Sequence, residues 1–279
     1  MSIRQRIAER LAPYDRVVVW GAGGMGTNAL RRWLPLHKVA AVVDSNPAKV
    51  GLLIDGIAVR PPAAVQELRA GCIVICTHAH ARVRDAVKQS GLDVPVFYIY
   101  ELFVPEAGWE TMSPLEQLQV DIAATKNAMW PLFVLQKPQI AVNVTFRAAQ
   151  WARSSSWGIV LYPLLYVMHY LTCIVFSIQL PLDAKIGPGL IFAHFGTIVF
   201  TGRARIGCFF TIYHGCTVGT DSDGAGPVIE DFVTQFAGSH ILGNCRIGNN
   251  VRVGANAVVL GLTVPDGASA VGVPAKVAA

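Results

Sequence analysis

Charge is scarce in this chain. Its 23 Lys and Arg and 18 Asp and Glu make up 15% of 279 residues, against about 25% in ordinary soluble domains. The excess of +5 is mild and lies upstream, since residues 182–279 hold six charges of each sign. No run of Lys or Arg interleaved with aromatics occurs, which argues against a nucleic-acid partner. The six cysteines, at 72, 76, 173, 208, 216 and 245, have neither the paired spacing of a zinc site nor the density of a disulfide scaffold, so they read as buried reduced thiols. The opening MSIRQRIAERLAPYDR has no apolar core of roughly 7 to 15 residues, so it is not a secretory signal, and a cytoplasmic enzyme is expected. With 53% apolar residues the chain can offset the entropy of ordering, which excludes intrinsic disorder.

The first organised segment is RVVVWGAGGMGTNALRRWL from Arg16, a β-branched run followed by a turn and a helix-forming stretch. Gly21, Gly23 and Gly26 are spaced G-x-G-x-x-G. The first glycine permits a sharp turn, the second a close approach of backbone to a pyrophosphate, and the third close packing of helix on strand. Asp44 ends the next apolar run, where a carboxylate could accept from ribose hydroxyls. Further strands are expected at 57–60, 72–77 and 94–99, with helical stretches at 62–69 and 80–89. This is an α/β pattern over residues 1–110, about one mononucleotide-binding half and a little more. His78 and His80 fall past the strand that ends at Thr77 and read as bystanders. The segment resembles the small Rossmann-like domains of bacterial sugar-modifying proteins, which implies a pocket for a nucleotide or nucleotide sugar.

Residues 111–180 have helical composition, interrupted at Pro131, Pro138 and Pro163. Residues 157–178 contain no Asp, Glu, Lys or Arg. Three readings stay open: a helix buried at a subunit contact, a helix resting on a membrane surface, and a span of the bilayer. Arg147, Trp151, Arg153 and Trp157 would suit lipid headgroups. His169 reads as a satisfied core histidine, with no catalytic part.

After Pro181 apolar residues recur every six positions, at Ile186 and Phe192, at Ile206, Ile212 and Val218, at Ile229, and at Ile241, Ile247, Val253 and Val259. Neither a helix nor a half-buried strand has this period. Short strands that each turn a corner and send one side chain to a common axis do, which specifies a parallel β-helix over residues 181–279. The register breaks twice, at the loop 220–227 and between Phe192 and Ile206 beside His194. Both breaks are expected to surround one site. Gln235 and Phe236 stand where Ile and Gly are expected.

These segments, from LPLDAKIGPGLIFAHFGTIVF through TIYHGCTVGT and AGSHILGNCRIGNNVRVGANAVVL to the closing GVPAK, resemble the hexapeptide-repeat acetyltransferases, in particular the serine acetyltransferase branch and its polysaccharide-modifying relatives. The resemblance covers residues 178–276. It implies a left-handed β-helix, a homotrimer, and acetyl-CoA held in grooves between subunits. His194 falls on the family's catalytic histidine, and imidazole is the side chain suited to take a hydroxyl proton near neutral pH. The family's aspartate before it is Ala193 here, and the aspartate that orients the imidazole falls on Gln179, whose amide oxygen can accept from the ring without supplying charge. His214 lies about one coil further on, beside the acceptor or the coenzyme. Gly219, Ala237, Gly238, Ala255 and Lys276 are expected along the CoA groove. Gly226 stands where serine-binding members carry a histidine. A saccharide or nucleotide-sugar hydroxyl is therefore the expected acceptor. The competing readings are serine O-acetylation, sugar N-acetylation, a NAD-dependent oxidoreductase with the β-helix as trimeriser, and a non-catalytic scaffold. The helical segment leaves open a peripheral membrane contact.

Overall fold

A computed structural model describes residues 1–77, 79–125 and 137–278. His78 and Pro131 lie outside the described residues. The chain divides into two compact units, Met1–Glu106 and Ala107–Ala279, so the helical segment belongs with the β-helix and forms no third unit.

The first unit opens with α1 (Ile3–Arg10), then alternates β1 (Val17–Trp20), α2 (Gly24–Arg32), β2 (Val39–Val43), the hairpin β3 (Leu53–Ile54) and β4 (Ile57–Arg60), α3 (Ala64–Glu67), β5 (Cys72–Ile75), α4 (His80–Gln89) and β6 (Val96–Tyr98). The sheet order is β3-β4-β2-β1-β5-β6, parallel except for the hairpin. β1 and β5 are buried at every residue, the pattern of strands covered on both faces. Gly21 has φ +124°, and a side chain on Gly26 would collide with the Gly21 carbonyl, so two of the three glycines are required by the β1–α2 turn itself.

The second unit begins with α5 (Pro114–Thr125), α6 (Ile140–Ser154) and α7 (Tyr162–Phe176). Five coils of three short strands follow. The first holds β7 (Ile178–Gln179), β8 (Lys185–Ile186) and β9 (Ile191–Phe192), and the second β10 (Ile198–Phe200), β11 (Arg205–Ile206) and β12 (Thr211–Ile212). The third holds β13 (Thr217–Gly219), β14 (Val228–Ile229) and β15 (Thr234–Gln235), and the fourth β16 (His240–Leu242), β17 (Arg246–Ile247) and β18 (Arg252–Val253). The fifth holds β19 (Val258–Leu260), β20 (Thr263–Val264) and β21 (Ser269–Val271), closed by the antiparallel β22 (Lys276–Ala278). Equivalent strands pair in parallel into three sheets, which fits the left-handed β-helix that the resemblance implies. The six-residue apolar series fills the axis: Ile206, Ile212, Val218, Ile229, Ile241 and Val253 are fully buried.

A solenoid's first coil leaves strand edges without a partner, and buried amides and carbonyls must be satisfied. Here α5 and α6 do this. Gln139, Asn143 and Arg147, four residues apart on one face of the helix, donate to Phe192 O (3.1 Å), Leu190 O (2.8 Å), and Ile186 O and Gly187 O (2.9 Å each). Asp121 accepts from the Gly189 and Leu190 amides and pairs with Arg147 at 2.9 Å. Arg147 and Asp121 are buried, so Arg147 is a structural cap and makes no headgroup contact.

In α7 the apolar residues divide between the core of the unit and an outward face. His169 and its neighbours face the core, but Leu164, Val167, Leu171 and Val175 point outward at about half exposure or more, and Trp157 before them is 89% exposed. Among the described residues no helix is long and apolar enough to cross a membrane. His169 is a satisfied core histidine: its Nε2–H donates to Leu180 O at 2.8 Å and Nδ1 faces the Thr145 hydroxyl at 3.1 Å. Burial pushes its pKa down, against the Leu180 hydrogen bond.

Candidate active site

The corner between β9 and β10 carries the catalytic candidate. In the coils above, the matching corner is tight: the Gly238 amide donates to His214 O and the Asn256 amide to Ala237 O. In the lowest corner the equivalent bond runs from the Gly215 amide to Gly196 O, so Gly196 holds the slot that His214 and Ala237 fill above. Counted from β9, which pairs with β12 from Ile191 to Thr211, that slot would belong to His194. Two residues, His194 and Phe195, are therefore extra and thrown outward. Gly196 (φ +113°) and Thr197 (φ +53°) turn the chain back into β10.

His194 and His214 are both exposed, with ring centroids 5.8 Å apart at 71°. Tyr213 lies 5.5 Å from His194 and meets Phe236 in a tilted contact at 5.3 Å, so a line of rings climbs the corner. Small-molecule sites span about 300–1,000 Å³, and the cleft here, of about 550 Å³, is lined by Lys137, Pro138, Gln139, Ala193, His194, Phe195 and His214. Gln139 fixes one wall through its bond to Phe192 O. Neither Lys137 nor Gln139 was singled out from sequence; the four-residue spacing of Gln139, Asn143 and Arg147 was the available signal.

The strand register places His214, Ala237 and Ala255 one above another at this corner, with Gly238 beside Ala237. Lys276 pairs with Val271 at the far end of the same edge. Five expected residues thus share one ridge. Strands repeat every 4.7–4.9 Å, so His194 to Ala255 covers roughly 14 Å. Gly219 does not join them. It ends β13 on the other side of that sheet, where the loop 220–227 begins. That loop rests on Arg203, whose guanidinium donates to Gly224 O at 2.7 Å. Within one chain the two register breaks therefore occupy different corners and do not enclose one site. A side chain on Gly226 would strike the Arg203 backbone, so the loop in this conformation has no room for a histidine there.

Gln179 also departs from expectation. It lies on β7 opposite Val199, is exposed, and makes no hydrogen bond to His194. The imidazole is flanked by rings where an orienting amide was expected. Gln235 takes an inward position and is buried; its Nε2 donates to Thr217 O (3.1 Å) and Ser239 O (2.9 Å). Cys216 is equally buried, with Sγ turned inward to Phe236 O at 3.1 Å, which removes it as an acyl-carrying nucleophile.

In the first unit a cleft of about 360 Å³ lies at the carboxyl ends of β1, β2 and β5, lined by Trp20, Gly21, Asp44, Thr77 and Arg82 among others. Gly23 is the N-cap of α2 and Gly26 lies within it. Asp44 is committed to the turn: it accepts from the Ala22 amide (2.7 Å), the Asn46 amide (2.8 Å) and Lys49 Nζ (3.1 Å). Burial pushes its carboxyl up, but these donors outweigh it and hold the pKa below its ordinary value. The expected acceptor of ribose hydroxyls is instead first a brace between the glycine turn and Lys49.

A corner histidine on a parallel β-helix, with small residues on the ridge above it, fits an acyltransferase of the hexapeptide-repeat class. Residues 226–261 match the family described as bacterial transferase hexapeptide (six repeats). A serine acetyltransferase of Helicobacter pylori is 33% identical over 165 residues, 58% of this chain and 92% of the relative. One from Staphylococcus epidermidis is 41% identical over 104 residues, 36% and 48% of the two chains. A soybean serine acetyltransferase solved in complex with serine superposes with TM-score 0.50 at 30% identity, over 60% of this chain and 70% of that one. The chain belongs to the serine acetyltransferase family.

Proposed function

We propose that the protein is an acetyl-CoA-dependent O-acetyltransferase in which His194 is the general base. The observation that carries this is the outward displacement of His194 into the cleft beside His214, at the foot of the ridge that holds Ala237, Gly238 and Ala255. His194 takes the hydroxyl proton as the acceptor oxygen bonds to the thioester carbonyl carbon. The resulting imidazolium returns that proton to the departing CoA sulfur when the C–S bond breaks, so the ring ends neutral. The relatives' activity supports acetyl-CoA as the donor, and the family's assembly supports a homotrimer.

The acceptor divides the support. The names of the relatives favour L-serine. The chemistry of the cleft favours a neutral sugar hydroxyl: its described lining offers Lys137 and two imidazoles but no carboxylate for an ammonium group, and Ala193 supplies none where the family has an aspartate. We take the sugar hydroxyl as the reading and serine as its rival. CoA release measured with L-serine, methyl hexopyranosides and UDP-hexoses tests it; preferential turnover of serine overturns it. For the first unit we infer a Rossmann-like fold with a nucleotide or nucleotide sugar in the 360 Å³ cleft, supported by the glycine turn and the free N-terminus of α2. Calorimetric titration with UDP-hexose and with NADH tests that inference, and no heat from either refutes it.

A further inference from the structure

The register break that projects His194 projects a second side chain. Phe195 is 49% exposed, next in sequence to the catalytic candidate, and lines the same cleft. A lone exposed phenylalanine on a surface is ordinary. This one is placed by construction: the two inserted residues have no counterpart at the matching corners of the coils above, and the backbone closes behind them through Gly196 and Thr197. Its orientation is also fixed. Phe176, at the end of α7, meets it in a T-shaped contact with centroids 5.4 Å apart at 80°. A held aromatic ring, half open to a cleft beside a general base, is a platform on which a ligand ring can lie.

Resting on the sugar reading above, we propose that Phe195 is the acceptor platform, stacking against the apolar face of a pyranose so that one ring hydroxyl is directed to His194. The axial C–H bonds of a pyranose carry partial positive charge and meet the negative face of the phenyl quadrupole. The rim hydroxyls are left for Lys137, which lines the same cleft. A free amino acid has no such face, so the platform gives the cleft a preference that the imidazoles alone do not.

The test compares full-length wild type with Phe195→Ala and Phe195→Trp, using methyl hexopyranosides and UDP-hexoses at saturating acetyl-CoA. Acceptor KM is expected to rise about tenfold in the alanine variant, the scale of one stacked ring, and to return to within about threefold in the tryptophan variant. The KM for acetyl-CoA and the mass in solution are expected to stay unchanged. A raised acetyl-CoA KM would make Phe195 a coenzyme contact, and a smaller assembly would make it a subunit contact; either overturns the proposal. If sugars remain the preferred acceptors while Phe195→Ala leaves their KM unaltered, the platform fails and the sugar reading survives. If serine is preferred, or no glycoside is turned over above the acceptor-free rate, both fail.

Discussion

Replacing Arg147 by Met tests whether α6 is the lid of the β-helix or a passenger on it. The guanidinium is 1% exposed, pairs with the fully buried Asp121, and donates to two carbonyls of the first coil and to Gln117. Methionine fills much of the volume but leaves Asp121 as a buried carboxylate whose remaining donors are the Gly189 and Leu190 amides. Stranding one partner of such a pair costs about 3–5 kcal/mol. In a unit of this size about 1 kcal/mol moves Tm by 2–4 °C, so a loss of at least about 6 °C is expected. The double variant with Asp121→Asn removes the stranded charge and should recover about 1–3 kcal/mol of the summed single losses. Thermal melts followed by far-UV circular dichroism for wild type, both singles and the double make the measurement. A drop below about 2 °C for Arg147→Met, or strict additivity of the two changes, would refute the capping argument. Because Gln139 lies on the same helix face and forms a wall of the cleft, the same variant is expected to raise acceptor KM before it unfolds.

Three further outcomes follow from the site and its surroundings. His194→Ala should lower kcat by about 100-fold to 10,000-fold while leaving the Kd for CoA unchanged, read by steady-state kinetics and calorimetry. Ala237→Leu, which places a branched side chain on the ridge above His214, should raise the KM for acetyl-CoA at least about tenfold with acceptor KM unaffected; an unchanged KM would remove the ridge as the coenzyme groove. His169 is buried with its pKa pushed down, so the unfolded chain binds a proton first: its contribution to stability is intact above about pH 6.5 and falls as pH drops below that value toward the folded pKa. His169→Gln keeps a donor for Leu180 O and should shrink the Tm difference between pH 7.5 and pH 5, compared in parallel melts.

The parts of the fold that follow from periodicity were legible in the chain. A six-residue period has one structural solution, and the strands of the first unit fall at 57–60, 72–75 and 96–98, inside the apolar runs that announce them. What periodicity does not carry is partnership across many residues. Nothing local in Arg147 distinguishes a cation for lipid from one for Asp121, 26 positions earlier; only the first coil, with its unpaired carbonyls, decides. Asp44 is a similar case, since the amides that occupy it belong to a turn 22 residues upstream and to its own Asx turn.

The corner of His194 shows where counting stops and geometry begins. Spacing alone locates an excess of two residues somewhere between Phe192 and Ile206. Which two are expelled depends on the ladder: the Gly196 carbonyl takes the Gly215 amide, the bond that the His214 and Ala237 carbonyls make in the coils above, and Gly196 at φ +113° with Thr197 at φ +53° turns the chain back into β10. With Gly196 in that slot, the chain between Ala193 and Gly196 bulges outward and carries the imidazole and Phe195 with it. The same logic separates the two breaks. The loop 220–227 enters after β13, one sheet width from the histidine corner, and any enclosure of the cleft by such a loop has to come from another copy of the chain. A site assembled that way needs the outward histidine of one protomer, and an inward one would be useless however well its pKa suited the reaction.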